Sequence, residues 1–150
     1  MINCKQLKLP TLDGVDIHKM IHFFKLGNHL FAERYKDAPH WKSFDLIKNS
    51  GYSPMLKHFP IIVRWVEMLQ REKFTSKIMT LYVSVLAPRQ QIPWHKDMNR
   101  PGFNKAFITS LQTENSFIEF KDDKKYTYKK GYSYALQTGT EHRIINMSDD

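Results

Sequence analysis

Cysteine is almost missing from this sequence: Cys4 is the single one in a chain of 150 residues. One thiol excludes an internal disulfide framework and any cysteine-rich zinc site. Long apolar runs are missing too. Stretches such as Ile61-Ile62-Val63 fall far short of the roughly 18 residues that a membrane-spanning helix needs. The N-terminus sets Lys5 and Lys8 around Leu7 and Leu9, without the apolar segment of a secretory signal. A hydrophobic share of 41% and 10 phenylalanines exclude a disordered or low-complexity chain. The expectation is one reduced, cytoplasmic domain over residues 1–150, with no membrane partner.

Acidic groups are the minority, 15 against 23 lysines and arginines, for a net charge of +8. The excess is spread along the chain rather than gathered in a tail. It permits attraction to nucleic acid or to acidic proteins and identifies neither. Tyr126 and Tyr128 among Lys125, Lys129 and Lys130 would suit a nucleic-acid surface. A lysine-decorated hairpin accounts for them equally, and nucleic acid is not the favoured partner.

Proline does not occur after Pro101, and the texture of the sequence changes along the chain. Residues 1–75 read as a helical N-terminal portion. Ile17, Ile21, Phe24, Phe31 and Tyr35 predict a helix over Val15–Tyr35, with Asp13 or Asp16 as its cap. Pro60 opens a second helix, which Ile62, Val63, Val66 and Leu69 carry to Arg71. His40 to Phe44 and Gly51 to Pro54 read as loops or turns, with Trp41, Phe44 and Tyr52 as plugs holding the helices on the rest. From Ser76 the period shortens to two. Strands are expected over residues 76–86, Trp94–Asp97, Lys105–Leu111, Ser116–Phe120, Lys125–Tyr128, Tyr132–Leu136 and His142–Asn146. Arg100-Pro101-Gly102, Asp122-Asp123, Lys130-Gly131 and Thr138-Gly139-Thr140 supply the turns. Strands this short and close leave no room for crossover helices. A mainly β fold with N-terminal helices follows, with residues 76–150 as a sandwich or jelly roll on which the helices pack.

His95-Lys96-Asp97 is the informative triplet. Residues two apart on a strand point the same way, about 6.6 Å apart at the backbone, so the imidazole and the carboxylate share a side. His142 opens a late strand and offers a third donor. Two histidines and one carboxylate form the facial set that holds non-haem Fe(II) and leaves positions open. A polar strand pair around Asp97, with His142 at an edge, is the plainer alternative. His18, His22 and His29 share one face of the first helix. They lack the glutamate of a zinc-protease pattern, so a partly solvated face is the better reading.

The stretch Leu81–Asp150 resembles the aspartyl/asparaginyl β-hydroxylase-like branch of the Fe(II)/2-oxoglutarate-dependent oxygenases. The matching pieces are Leu86-Ala87-Pro88, then Ile92-Pro93-Trp94-His95-Lys96-Asp97, then Gly131-Tyr132-Ser133-Tyr134-Ala135-Leu136, and last His142-Arg143-Ile144-Ile145-Asn146-Met147-Ser148-Asp149. The resemblance implies a double-stranded β-helix (cupin-like jelly roll), Fe(II) and 2-oxoglutarate as cofactors, and dioxygenase chemistry that hydroxylates C–H bonds. It makes His95, Asp97 and His142 the metal-binding and catalytic residues. The substrate implied is an amino acid, a peptide or a protein side chain.

One departure stands out. The family carries an arginine on the strand after the distal histidine, where it pairs with the far carboxylate of 2-oxoglutarate. This sequence ends at Asp150, where that strand is expected to begin. Either the sequence continues or the final strand is missing. In the second case one sheet edge near His142–Asn146 is left unpaired, or borrows an N-terminal strand such as Gln6–Leu9, and self-association through an open edge follows. A second family arginine is matched by Lys105, which lacks the rigid two-pronged donor geometry. Asn104, Thr80, Tyr82 and Ser84 are further polar candidates for the cosubstrate, whereas Arg143 should turn away from the metal. A non-catalytic cupin-like metal-binding domain and a basic interaction module for nucleic acid are the rival readings.

Overall fold

Asp13 starts the first helix by accepting the Val15 N–H on its carboxylate at 2.7 Å, which satisfies one of the donors a helix N-terminus leaves unpaired. Helix α1 then spans Gly14–Leu26. The computed structural model describes residues 3–33, 36–48, 51–72, 80–97, 106–112, 115–121 and 125–149. The helix expected to reach Tyr35 stops nine residues earlier, at Leu26. Gly27 and Asn28 are poor helix formers, and Phe31 turns back to lie 6.0 Å from the rings of Phe24 and Phe44. Tyr35 itself lies outside the described residues.

Strands occupy more of the N-terminal half than its composition predicts. They are β1 (Cys4–Gln6), β2 (Ala32–Glu33), β3 (Trp41–Lys48) and β4 (Gly51–Tyr52). The stretch from Trp41 to Phe44, read as a loop, is therefore the start of an eight-residue strand. A register shift between Asp45 and Ile47 breaks its alternation, so Leu46 and Ile47 are both fully buried. Tyr52, expected as a core plug, is 65% exposed. Helix α2 covers Pro60–Arg71 as expected, with proline in its first turn.

The remaining strands are β5 (Leu81–Leu86), β6 (Gln91–His95), β7 (Ala106–Thr109), β8 (Ser116–Phe120), β9 (Lys125–Thr127), β10 (Ser133–Leu136) and β11 (His142–Asn146). Residues 76–79 of the first expected strand, and Lys105 of another, lie outside the described residues. All the described pairings are antiparallel. One sheet runs β1-β10-β7 and a second runs β6-β11-β8-β9. In the third, β3 pairs with β2, β4 and β5. The protein is mainly β with two helices, and among the described residues its sheets do not close into a barrel.

Burial explains the layering. Cys4, Tyr134 and Leu136 of the first sheet meet Ile118 and Phe120 of the second in the main core. Trp65, Val66 and Leu69 of α2 cover the opposite face of the first sheet, against Leu7, Phe107 and Ala135. Met20 and Phe24 of α1 cover Leu46, Phe44 and Val83 of the third sheet. The helices thus pack outside the sheets as the apolar stripes require. Val85 of the third sheet stays 48% exposed, beyond the reach of either helix.

The expected open edge is placed differently. Strand β11 lies inside its sheet, between β6 and β8. The borrowed N-terminal strand does exist, but over Cys4–Gln6 and in the other sheet, where Cys4 pairs with Leu136. Burial pushes the Cys4 thiol up to about 11. The smaller thiolate fraction should slow its alkylation about 100-fold at pH 8 relative to the unfolded chain. The check is iodoacetamide labelling with and without denaturant, and equal rates would show Cys4 exposed. Because the folded pKa is the higher one, the stability linked to this thiol is complete below pH 9.0 and is lost as pH rises toward 11.

Candidate metal centre

His95 ends β6 and His142 opens β11, and the two are cross-strand partners. Antiparallel pairing puts directly opposed side chains on one face, and the imidazole centroids are 4.3 Å apart. Asp97 follows just beyond the strand, so it does not share a strand with His95 as alternation suggested. Its backbone N–H donates to Thr138 O at 3.0 Å, which holds the carboxylate at the same mouth. Asp97 Oδ1 lies 3.6 Å from His95 Nε2. One potential ligand atom from each of the three residues lies within 4.8 Å of the others.

The hydrogen bonds fix which nitrogens face inward. His95 Nδ1 lies 2.7 Å from Pro93 O, and His142 Nδ1 lies 2.7 Å from Thr140 O. A carbonyl only accepts, so each Nδ1 carries the proton and donates. In the neutral ring each Nε2 then keeps its lone pair, the tautomer that a metal ligand needs. His142 is 3% exposed. Burial lowers its pKa, and neighbouring His95 lowers it further, against opposing contributions from the Thr140 carbonyl and Asp97. It therefore stays neutral to a lower pH than a solvated histidine, ready to bind a cation. Phe120 walls this side, its ring 5.7 Å from that of His142.

Trp41 walls the other side, with its ring centre 6.4 Å from His95. It packs with Ala38, Ile92, Leu86 and Ile144, and its indole N–H donates to Ser84 Oγ. Register places Ser43 opposite Ser84 and Asp45 opposite Tyr82, so these side chains share the Trp41 face of the third sheet. Of the polar candidates, Ser84 meets the Trp41 indole, Tyr82 lies two residues along the same face of the strand, and Thr80 precedes that strand by one residue. Asn104 and Lys105 lie outside the described residues. Arg143 turns away as expected: it pairs with Glu119 at 2.7 Å and lies over Trp94 at 4.9 Å on the outer face.

The contact of Trp41 with Ser84 beside His95 is the feature that sequence reasoning missed. It spans 43 residues, and no local pattern encodes it. A recess of about 400 Å³ is lined by Lys96, Lys121, Gly139, Thr140 and Glu141, with none of the three converging donors in its wall. Among the described residues no other group of three histidine, cysteine or acidic side chains converges. His18, His22 and His29 do not form such a converging group. Among the described residues no helix is long and apolar enough to cross a membrane.

The family model for aspartyl/asparaginyl beta-hydroxylase matches residues 17–150. No curated protein matches the sequence at a significant level.

Proposed function

The chain belongs to the aspartyl/asparaginyl β-hydroxylase family, and on that premise we propose that it is an Fe(II)- and 2-oxoglutarate-dependent dioxygenase. Its substrate is an amino acid, a peptide or a protein side chain. The observation that carries this reading is the convergence of His95, Asp97 and His142 with both Nε2 lone pairs turned inward. Two neutral imidazoles and one carboxylate suit a divalent iron and leave room for further ligands. We read the two facing sheets as the halves of a double-stranded β-helix that carries this set.

The residues present also fit the cosubstrate. Ser84 Oγ accepts the Trp41 indole N–H, so its own proton remains to be donated to an anionic group such as the far carboxylate. Trp41 orients that hydroxyl while packing against His95, and Tyr82 extends the polar strip along the strand. Phe120, Ile92 and Ile144 keep water from the inner side of the imidazoles. Iron and 2-oxoglutarate, when bound, supply the oxidising chemistry that hydroxylates an unactivated C–H bond.

The test is anaerobic titration of 2-oxoglutarate into the Fe(II)-loaded chain, followed through the metal-to-ligand charge-transfer band. The band should appear and saturate. In Ser84→Ala the apparent affinity should fall roughly 10–150-fold, since a hydrogen bond to a charged group is worth about 1.5–3 kcal/mol. Metal binding with no band at any accessible concentration would leave a metal-binding module that is not an oxygenase of this class.

A further inference from the structure

The three candidate ligands and the Trp41–Ser84 pair belong to different sheets. His95 and His142 are on neighbouring strands of the second sheet, with Asp97 at its exit. Trp41 and Ser84 are on β3 and β5 of the third. Among the described strands no ladder pairing joins these two sheets. Asn146, the last residue of β11, bridges them. It is 7% exposed. Its Nδ2 donates to Leu86 O at 3.0 Å and to Ala87 O at 3.2 Å, at the end of β5. Its Oδ1 accepts from Ser116 Oγ at 3.2 Å, from Ser148 N at 3.0 Å and from Ser148 Oγ at 2.7 Å.

The bridge reaches the Trp41–Ser84 pair by a short route. Leu86 is the cross-strand partner of Trp41, and Ala87 N–H donates to His40 O at 3.0 Å. On the other side, Asn146 N–H donates to Gln90 O at 2.9 Å, just before β6 begins. A buried primary amide with both N–H groups committed has little freedom to shift.

We propose that Asn146 is a positioning residue that sets the spacing between the metal-bearing sheet and the Trp41–Ser84 hydroxyl, and so tunes the site to the length of a dicarboxylic 2-oxo acid. The proposal rests on the reading of the site given above. It separates two affinities that a general loss of structure would lower together. The metal ligands sit on one sheet, so metal affinity does not depend on the bridge. A 2-oxo acid without a second carboxylate touches only the metal side. A 2-oxo acid with one must span both sheets.

Asn146→Asp tests this, because it keeps the size and the acceptor oxygen but removes both donors to Leu86 and Ala87. With the Fe(II)-loaded protein held anaerobically, 2-oxoglutarate should bind tenfold or more weakly. Affinity for 2-oxobutanoate, which lacks the far carboxylate, and for Mn(II) should change less than twofold. Ser148→Ala guards against a variant that does not fold. It leaves the two donations intact, removes one hydrogen bond from Oδ1, and should give the same pattern at about twofold to fivefold. Equal losses for both oxo acids, a parallel loss of Mn(II) affinity, or unchanged 2-oxoglutarate binding would each overturn the positioning role and leave the oxygenase reading intact. A parent protein that binds Mn(II) but neither oxo acid would overturn both.

Discussion

Replacing His142 by alanine is expected to abolish tight divalent-metal binding while leaving the protein folded. The imidazole is one of three converging donors and is 3% exposed, with Thr140 O fixing its tautomer. Disturbing the partner of a ligand typically costs 10–100-fold in metal affinity. Removing the ligand itself should exceed about 100-fold, or roughly 2.7 kcal/mol. The gap left against Phe120 destabilises the chain by less than its total stability, which for a domain of this size is about 5–15 kcal/mol. Calorimetric titration with Mn(II) or Fe(II), beside a thermal melt, checks both halves of this expectation. Unchanged metal stoichiometry and affinity in a folded His142→Ala protein would remove the histidine from the site.

Phe120→Ala should be the most damaging single truncation near the centre. Phe120 is 1% exposed and lies in the main core with Ile118, Tyr134 and Leu136. Its ring packs 6.1 Å from Tyr126 and 5.7 Å from His142. Truncating a buried phenylalanine costs about 3–5 kcal/mol, because the lost transfer energy is joined by the cavity left behind. At about 2–4 °C per kcal/mol the melting temperature should fall by roughly 6–20 °C. Metal affinity should fall as well, since the wall that holds the His142 ring is gone. A melting temperature within about 2 °C of the parent would show that the core collapses around the gap.

Some of this organisation was legible in the sequence because the deciding forces are local. Ser116–Phe120 and His142–Asn146 are short runs rich in β-branched and aromatic residues between turn residues, and both strands occur over those bounds. Pro60 marks the start of α2, and its apolar spacing carries it to Arg71. The donors His95, Asp97 and His142 were readable from residue type and order. What brings them together is the register of β6 against β11, with Thr138 O holding Asp97.

The parts that were not legible depend on distant partners. Strand β3 hides behind its irregularity at Asp45, which buries two successive apolar residues and mimics neither period. Trp41 was readable as a core residue, but its indole N–H finds Ser84 only through pairing with β5. Apolar Phe31 lengthened the helical stripe on paper, whereas its ring in fact packs beyond the helix end, on Phe24 and Phe44. The strand borrowed from the N-terminus was foreseeable in kind but not in place, since either sheet could have accepted it.

That borrowed strand has a consequence for the order in which the chain folds. Cys4 meets Leu136 across nearly the whole sequence, and closing a loop of that length costs about 4 kcal/mol in chain entropy. Three residues of ladder do not offset such a cost on their own. Strand β1 should therefore wait until β7 and β10 have paired, and join them as a late event. During synthesis Cys4–Gln6 must then stay unpaired until Ser133–Leu136 have emerged from the ribosome. A protein with those residues held away, by a bulky fusion close to Cys4 for example, should refold more slowly and expose the edge of β10 to other chains.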